Sequence, residues 1–318
     1  MGAVFEVPFS ALTLSTALVL VNFLCGAVRL CVLARVSGAP LSLWQGLRAY
    51  LLGRFSDLVT PGGSGQMPVM GLALIRGGVE ASKAWAATLY TAILDLLFFG
   101  GTVPLALLLL STSVGLPVDS LLLPALALSV AFLGVWYLLA YRLEWLEPAL
   151  GQLFSLSLLA RWREDALTSF GKLGEATALV SRRPLVQLAL LALTAPLHLS
   201  NYAVFYVVAA SLGAELEPLL TLATVLVASV TSFVVPTPGG SGYTEFATLS
   251  LFELQTDAAQ VAPALVVWRV FNYYVFFLIG PALGGTLLRS RGPDTSSDRN
   301  IDSNGDADVN TPKDPSTL

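Results

Sequence analysis

The hexapeptide Thr60-Pro61-Gly62-Gly63-Ser64-Gly65 returns unchanged as Thr237-Pro238-Gly239-Gly240-Ser241-Gly242, and each copy interrupts a long apolar stretch. The stretches run over residues 41–75 and 218–254. Proline lacks an amide donor and glycine favours backbone conformations outside the helix, so neither stretch is one straight helix. Irregular backbone survives at membrane depth only where protein or a wet cavity satisfies its polar groups. Each stretch is therefore expected to be a re-entrant hairpin of two half-helices.

A membrane setting follows from composition. Of 318 residues 55% are hydrophobic and 12% charged, with a mean hydropathy of +0.74. Soluble domains carry about 25% charged residues. Five further segments have the roughly 20 apolar residues that a crossing needs: 9–33, 84–110, 121–141, 185–211 and 258–288. The first has Glu6 but no Lys or Arg ahead of it and is long for a signal peptide, so it is expected as a span.

With five spans and two re-entrant hairpins, the positive residues gather on one side. That side receives Arg29, Arg35, Arg48, Arg54, Arg76 and Lys83, then the basic residues of 142–183, then Arg289 and those beyond it. Full crossings by both hairpins would divide them. The expected topology has the N-terminus outside and the C-terminus cytoplasmic, in the cell membrane. Residues 1–141 hold a first membrane repeat and an extra span, 142–184 an amphipathic connector, 185–289 a second repeat, and 290–318 an acidic, disordered tail. Asp302, Asn304, Asp306 and Asp308 suggest half of a calcium loop, but Lys313 stands where the closing Glu belongs, which argues against it.

Three spans begin between the two hexapeptides, so the second copy is expected to enter the membrane upside down. The same offset aligns Asp95 with Asn272 and Ala92 with Arg269. The expected fold class is all-α: a polytopic helical bundle of two inverted repeats, each with a Gly-rich re-entrant hairpin. Broken helices meeting at such a repeat interface are a common architecture of secondary transporters.

The second copy, continued as Tyr243-Thr244-Glu245, resembles the hallmark of the flippase-like transmembrane family, which includes the membrane region of lysylphosphatidylglycerol synthetases. The first copy, with Gln66-Met67-Pro68 and then Arg76-Gly77-Gly78-Val79, is similar to that family's upstream motif. Some relatives carry an acidic residue and arginines after the first loop, where this chain has Gln66 and Val69–Gly71. No segment here corresponds to the soluble aminoacyl-transferring domain. The resemblance therefore implies a lipid-translocating or lipid-handling module rather than lipid aminoacylation.

The residue types exclude several functions. Cys25 and Cys31 share one apolar helix and His198 is the single histidine, so no metal or disulfide framework is expected. No Lys follows either Gly run, which excludes a nucleotide P-loop, and a net charge of −4 gives no footprint for nucleic acid. No cofactor is implied. What remains is a membrane lipid with an anionic or lipid-linked headgroup. Candidate contacts are Gly62, Gly63, Ser64, Gly65 and Gln66 in the first loop, Gly239, Gly240, Ser241 and Gly242 in the second, then Glu245 and Arg269. The half-helix after each loop offers free amides and a positive dipole end to an anion. Glu245 stands where a carboxylate either caps a helix or couples transport to a cation. Arg269 suits a phosphate, restrained by Asp95, because intramembrane charges seek partners. His198 and Asn201 share a helix face with Tyr202 or Tyr206, and with Asn22 and Asn272 read as packing polar groups. A lipid-headgroup enzyme and a non-catalytic scaffold are the alternatives to transport.

Overall fold

The computed structural model describes residues 6–114, 118–146 and 177–289, with a few isolated positions between the last two segments. The described residues are helical, without a strand. Helix α1 (Phe9–Val36) ends at Gly38, whose φ of 74° lets the chain turn back. Ser42 and Gln45 then exchange capping hydrogen bonds, Gln45 N–H to Ser42 Oγ at 3.2 Å and Ser42 N–H to Gln45 Oε1 at 2.9 Å, and start α2 (Leu43–Val59). Pro61 and the glycines stop it, and α3 (Gln66–Arg76) follows. Helix α4 (Ala81–Val114) is long and carries Pro104. Then come α5 (Val118–Tyr141) and, beyond the connector, α6 (Pro184–Ser211). The second broken stretch forms α7 (Pro218–Thr231) and α8 (Tyr243–Glu253). Helix α9 (Ala258–Arg269) passes through a π-helical turn at Val270–Tyr274 into α10 (Val275–Arg289).

Among the described residues, four helical stretches are long and apolar enough to cross a membrane: Phe9–Val36, Ala81–Val114, Pro184–Ser211 and Ala258–Gly284. Helix α5 occupies the expected fifth span, with Leu126–Tyr141 as a shorter apolar stretch. At 1.5 Å per residue, the 17, 11, 14 and 11 residues of α2, α3, α7 and α8 each fall short of the ~30 Å core. The broken-helix expectation is thereby met. Leu143–Leu146 form a 3-10 turn; most of the expected connector, and the tail, lie outside the described residues.

The two loops begin alike and part at their last glycine, where Gly65 has φ −80° and Gly242 has φ 84°. Gly62 and Gly63 have φ of 59° and 70°, and their counterparts Gly239 and Gly240 have 58° and 66°. These left-handed values are accessible to glycine without a Cβ clash. An antiparallel β-bridge joins Pro61 to Pro238, which are themselves counterparts. Packing around that bridge is reciprocal. Helix α1 lies against α6, α4 against α7, and α10 against α2. The closing helix of each half thus supports the other half's broken helix.

Apolar helices gain little from one another by hydrophobicity in a bilayer, so close backbone approach carries the packing. Gly46 of α2 faces the Ala27 carbonyl of α1, Gly26 of α1 faces the Tyr50 ring, and Gly280 of α10 faces Phe55. Two buried clusters result. One joins Leu30, Tyr50, Met70 and Ile93; the other joins Phe99, Phe205, Phe252 and Trp268.

Two basic residues assigned by sequence to the flanks sit elsewhere. Arg29 is only 2% exposed and paired within the bundle, and Arg54 lines an internal cavity. Both are internal charges, so neither reports topology. Each has a carboxylate partner inside the bundle, where a flanking charge would rely on water.

Candidate functional site

A cavity of about 470 Å³ opens between the two Gly-rich loops and is walled by α1, α2, α4, α6 and α9. Three ion pairs stand around it. Arg29 Nη1 lies 2.6 Å from Asp95 Oδ1 and donates to Thr194 Oγ1 at 3.2 Å. Arg54 pairs with Asp57 one turn further along α2, and its guanidinium lies 5.6 Å from the centre of the Phe276 ring. Arg269 Nε lies 2.6 Å from Glu245 Oε1.

The sequence assigned the restraint of Arg269 to Asp95. Glu245 provides it instead, because Asp95 is held by Arg29 and by His198, whose Nε2 is 3.1 Å from Asp95 Oδ1. Glu245 also settles the choice between cap and charge partner by doing both. Its Oε2 accepts the Gly242 N–H at 2.7 Å while Oε1 faces the arginine. The first loop holds Pro68 at the position matching Glu245 and uses another device, the Thr60 Oγ1 accepting the Gly65 N–H at 2.8 Å. Thr237, the counterpart of Thr60, is left with a buried, unpartnered hydroxyl.

These caps occupy the amides of Gly65 and Gly242, the residues just ahead of the two half-helices. Both donors are already taken, and the Ser64 and Ser241 amides bond the carbonyls of Pro61 and Pro238. Ser64 and Ser241 are exposed and, like Gly65, Gly242 and Glu245, do not line the cavity. Gly62, Gly63, Gln66, Gly239, Gly240 and Arg269 do line it.

Arg269 is the best-placed group for an anion. Its side chain is 9% exposed. Its Nη2 is buried without a hydrogen-bond partner, and its Nε, although close to Glu245, is out of line for a hydrogen bond. Nη1 reaches the Gly239 carbonyl at 3.5 Å. The rings of Trp268 and Tyr273 lie 5.5 and 5.6 Å from the guanidinium and hold it by cation–π attraction. The π-turn begins at the next residue, an irregularity that often marks functional positions. Asn272, one turn on, also carries a buried, unpartnered Oδ1.

Sequence reasoning missed Arg29, Arg54 and Asp57 as cavity residues. The signal was present: ionisable residues inside apolar helices, with Arg54 and Asp57 at helical i,i+3 spacing just before the first loop. Asn22, read as packing, links the walls, accepting the Tyr50 hydroxyl at 2.8 Å and donating to the Leu197 carbonyl at 2.7 Å.

The fold and its spans define an all-α, multi-pass membrane protein. The family described as the lysylphosphatidylglycerol synthase TM region matches residues 3–280, and the chain belongs to that family. It is also similar to a UPF0104 membrane protein of Archaeoglobus fulgidus, 24% identical over 280 residues that cover 85% of this chain and 84% of the relative. No solved structure matches.

Proposed function

We propose that this protein moves a lipid or lipid-linked polar molecule across the cell membrane, with the anionic headgroup held by Arg269 between the Gly-rich loops. The observation that carries this reading is the buried Nη2 of Arg269, an arginine donor with no protein acceptor, at the edge of an internal cavity. Leaving such a donor unmet inside a membrane is costly, and a phosphate oxygen satisfies it with a charge-assisted bond.

The two halves are inverted relative to one another in this reading. The matching loop glycines, the Pro61–Pro238 bridge and the reciprocal packing support an internal two-fold relation. An antiparallel contact between counterpart residues is what such an axis produces, as at a self-complementary dimer interface. The hairpins are re-entrant, the N-terminus is outside and the C-terminus is cytoplasmic. Rocking of one half against the other exposes the cavity alternately to each side.

The test is reconstitution into vesicles carrying fluorescent phosphatidylglycerol, with an impermeant quencher added outside. Labelled lipid should reach the quencher faster with the protein than without it, and Arg269→Gln should abolish the gain. No gain over protein-free vesicles overturns the proposal. Chemically altered lipid, seen by mass spectrometry, would replace it with a membrane enzyme.

A further inference from the structure

We infer that His198 takes up one proton with each anionic headgroup that enters the cavity, which makes lipid movement proton-coupled. This rests on the reading of Arg269 as the headgroup site. Three guanidiniums and three carboxylates stand around the cavity as the pairs Arg29–Asp95, Arg54–Asp57 and Arg269–Glu245. With His198 neutral, the site balances to zero without a ligand. A monoanionic headgroup on Arg269 leaves one uncompensated negative charge inside the membrane, where charge is strongly disfavoured. One proton restores neutrality.

The surroundings select the group that takes it. The carboxylates are already paired, each with a guanidinium, and Tyr50 and Tyr202 are phenols that titrate near pH 10 in water. Histidine is the side chain whose ordinary titration lies between about pH 5 and 8, and the chain has one. His198 of α6 faces Asp95 of α4 and shares the cavity with Arg29 of α1, with Tyr50, Arg54 and Asp57 of α2, with Tyr202 of its own helix and with Arg269 of α9.

The geometry suits both protonation states. Ionised Asp95 only accepts, so the contact at 3.1 Å fixes the hydrogen on His198 Nε2 and leaves the lone pair on the other ring nitrogen. A proton from the aqueous side binds there, and Asp95 then faces an imidazolium as well as Arg29. The rings of Phe98 and Phe99, with centroids 5.0 and 4.8 Å away, add cation–π attraction to the charged form. Release of the headgroup on the far side removes the negative charge, and His198 returns its proton there. One anion and one proton move together, with no covalent step.

The full chain in vesicles tests this, with labelled phosphatidylglycerol as probe and a trapped pH dye as second readout. Acidifying the side from which lipid departs to about pH 6 should accelerate flux roughly fivefold or more, and the dye should record protons arriving with the lipid. His198→Gln, which retains a hydrogen-bond donor for Asp95 but does not titrate, should carry less flux, and what remains should ignore the gradient. His198→Asn repeats the measurement should the first variant misfold. Wild-type flux indifferent to the gradient, with a silent dye, overturns proton coupling and leaves lipid movement standing. A gradient response preserved in both variants overturns the assignment to His198. Absence of any wild-type flux removes the Arg269 reading and this inference with it.

Discussion

Pro61 and Pro238 pair across an antiparallel bridge although 177 residues separate them, and they hold the same position in the two copies of one hexapeptide. Proline has no N–H to give, so the bridge relies on neighbouring residues. Its value is positional. It brings the tips of both broken helices together and sets the cavity beside them.

The proposed inversion of the halves makes a topological prediction. With Cys25 and Cys31 changed to Ala, single cysteines at Pro40 or Glu80 flank the first hairpin, and cysteines at Glu215 or Glu253 flank the second; all four sites are exposed. An impermeant thiol reagent outside intact cells should label Glu215→Cys and Glu253→Cys and spare the other two. Inside-out vesicles should reverse the pattern. Labelling of all four from one face would show that the halves run parallel.

Much of this architecture is legible in the sequence because proline and glycine act locally. Thr60–Gly65 and Thr237–Gly242 announce broken helices from chemistry that needs no neighbour. The partners of charges are not local. Arg29 meets Asp95 only after α1 and α4 pack, and Glu245 reaches Arg269 through the turn between α8 and α9. The count of positives treated Arg29 and Arg54 as flanks because it ignored depth, although the Arg54–Asp57 spacing could have corrected the second. The π-turn at Val270 leaves the apolar pattern unbroken and has no proline or glycine to mark it.

The loop glycines should differ in tolerance. At Gly242 (φ 84°) an added Cβ meets open space, so Gly242→Ala should cost only the strain of a sparsely populated backbone conformation, about 1–3 kcal/mol. At Gly63 the Cβ runs into Asp57 Oδ1, and at Gly239 into the Tyr273 ring with the Leu58 carbonyl 3.2 Å away. Gly63→Ala and Gly239→Ala should lower the thermal midpoint further and reduce translocation. Equal midpoints for the three would show that the loops relax around the new methyl.

The Arg29–Asp95 pair predicts a reversal between single and double variants. Arg29→Met leaves Asp95, 23% exposed, facing His198 without its guanidinium, and should cost about 3–5 kcal/mol in thermal unfolding. Arg29→Met combined with Asp95→Leu removes both charges and should recover most of that loss. A double variant as unstable as the single would mean that packing around α1, rather than charge, governs the site.

Glu245 separates the two duties of one carboxylate. Its Oε2 caps Gly242 and its Oε1 neutralises Arg269. Glu245→Gln preserves an oxygen for the cap and deletes the charge. Because Glu245 is 34% exposed, screening keeps the stability cost well below that of a fully buried pair. Removing the carboxylate frees Arg269 for an incoming anion, so detergent-solubilised Glu245→Gln should bind fluorescent phosphatidylglycerol several-fold more tightly. The cavity then starts at one positive charge, the bound headgroup balances it, and binding should no longer draw a proton from solution. Glu245→Ala should show the same affinity gain but lose about 1 kcal/mol of stability with the cap. Arg269→Gln should abolish binding, while Arg269→Lys keeps a fraction of it, since lysine supplies charge without the guanidinium fork. Weaker binding in Glu245→Gln than in the parent would make the carboxylate a ligand contact and end the account of it as a competitor for Arg269.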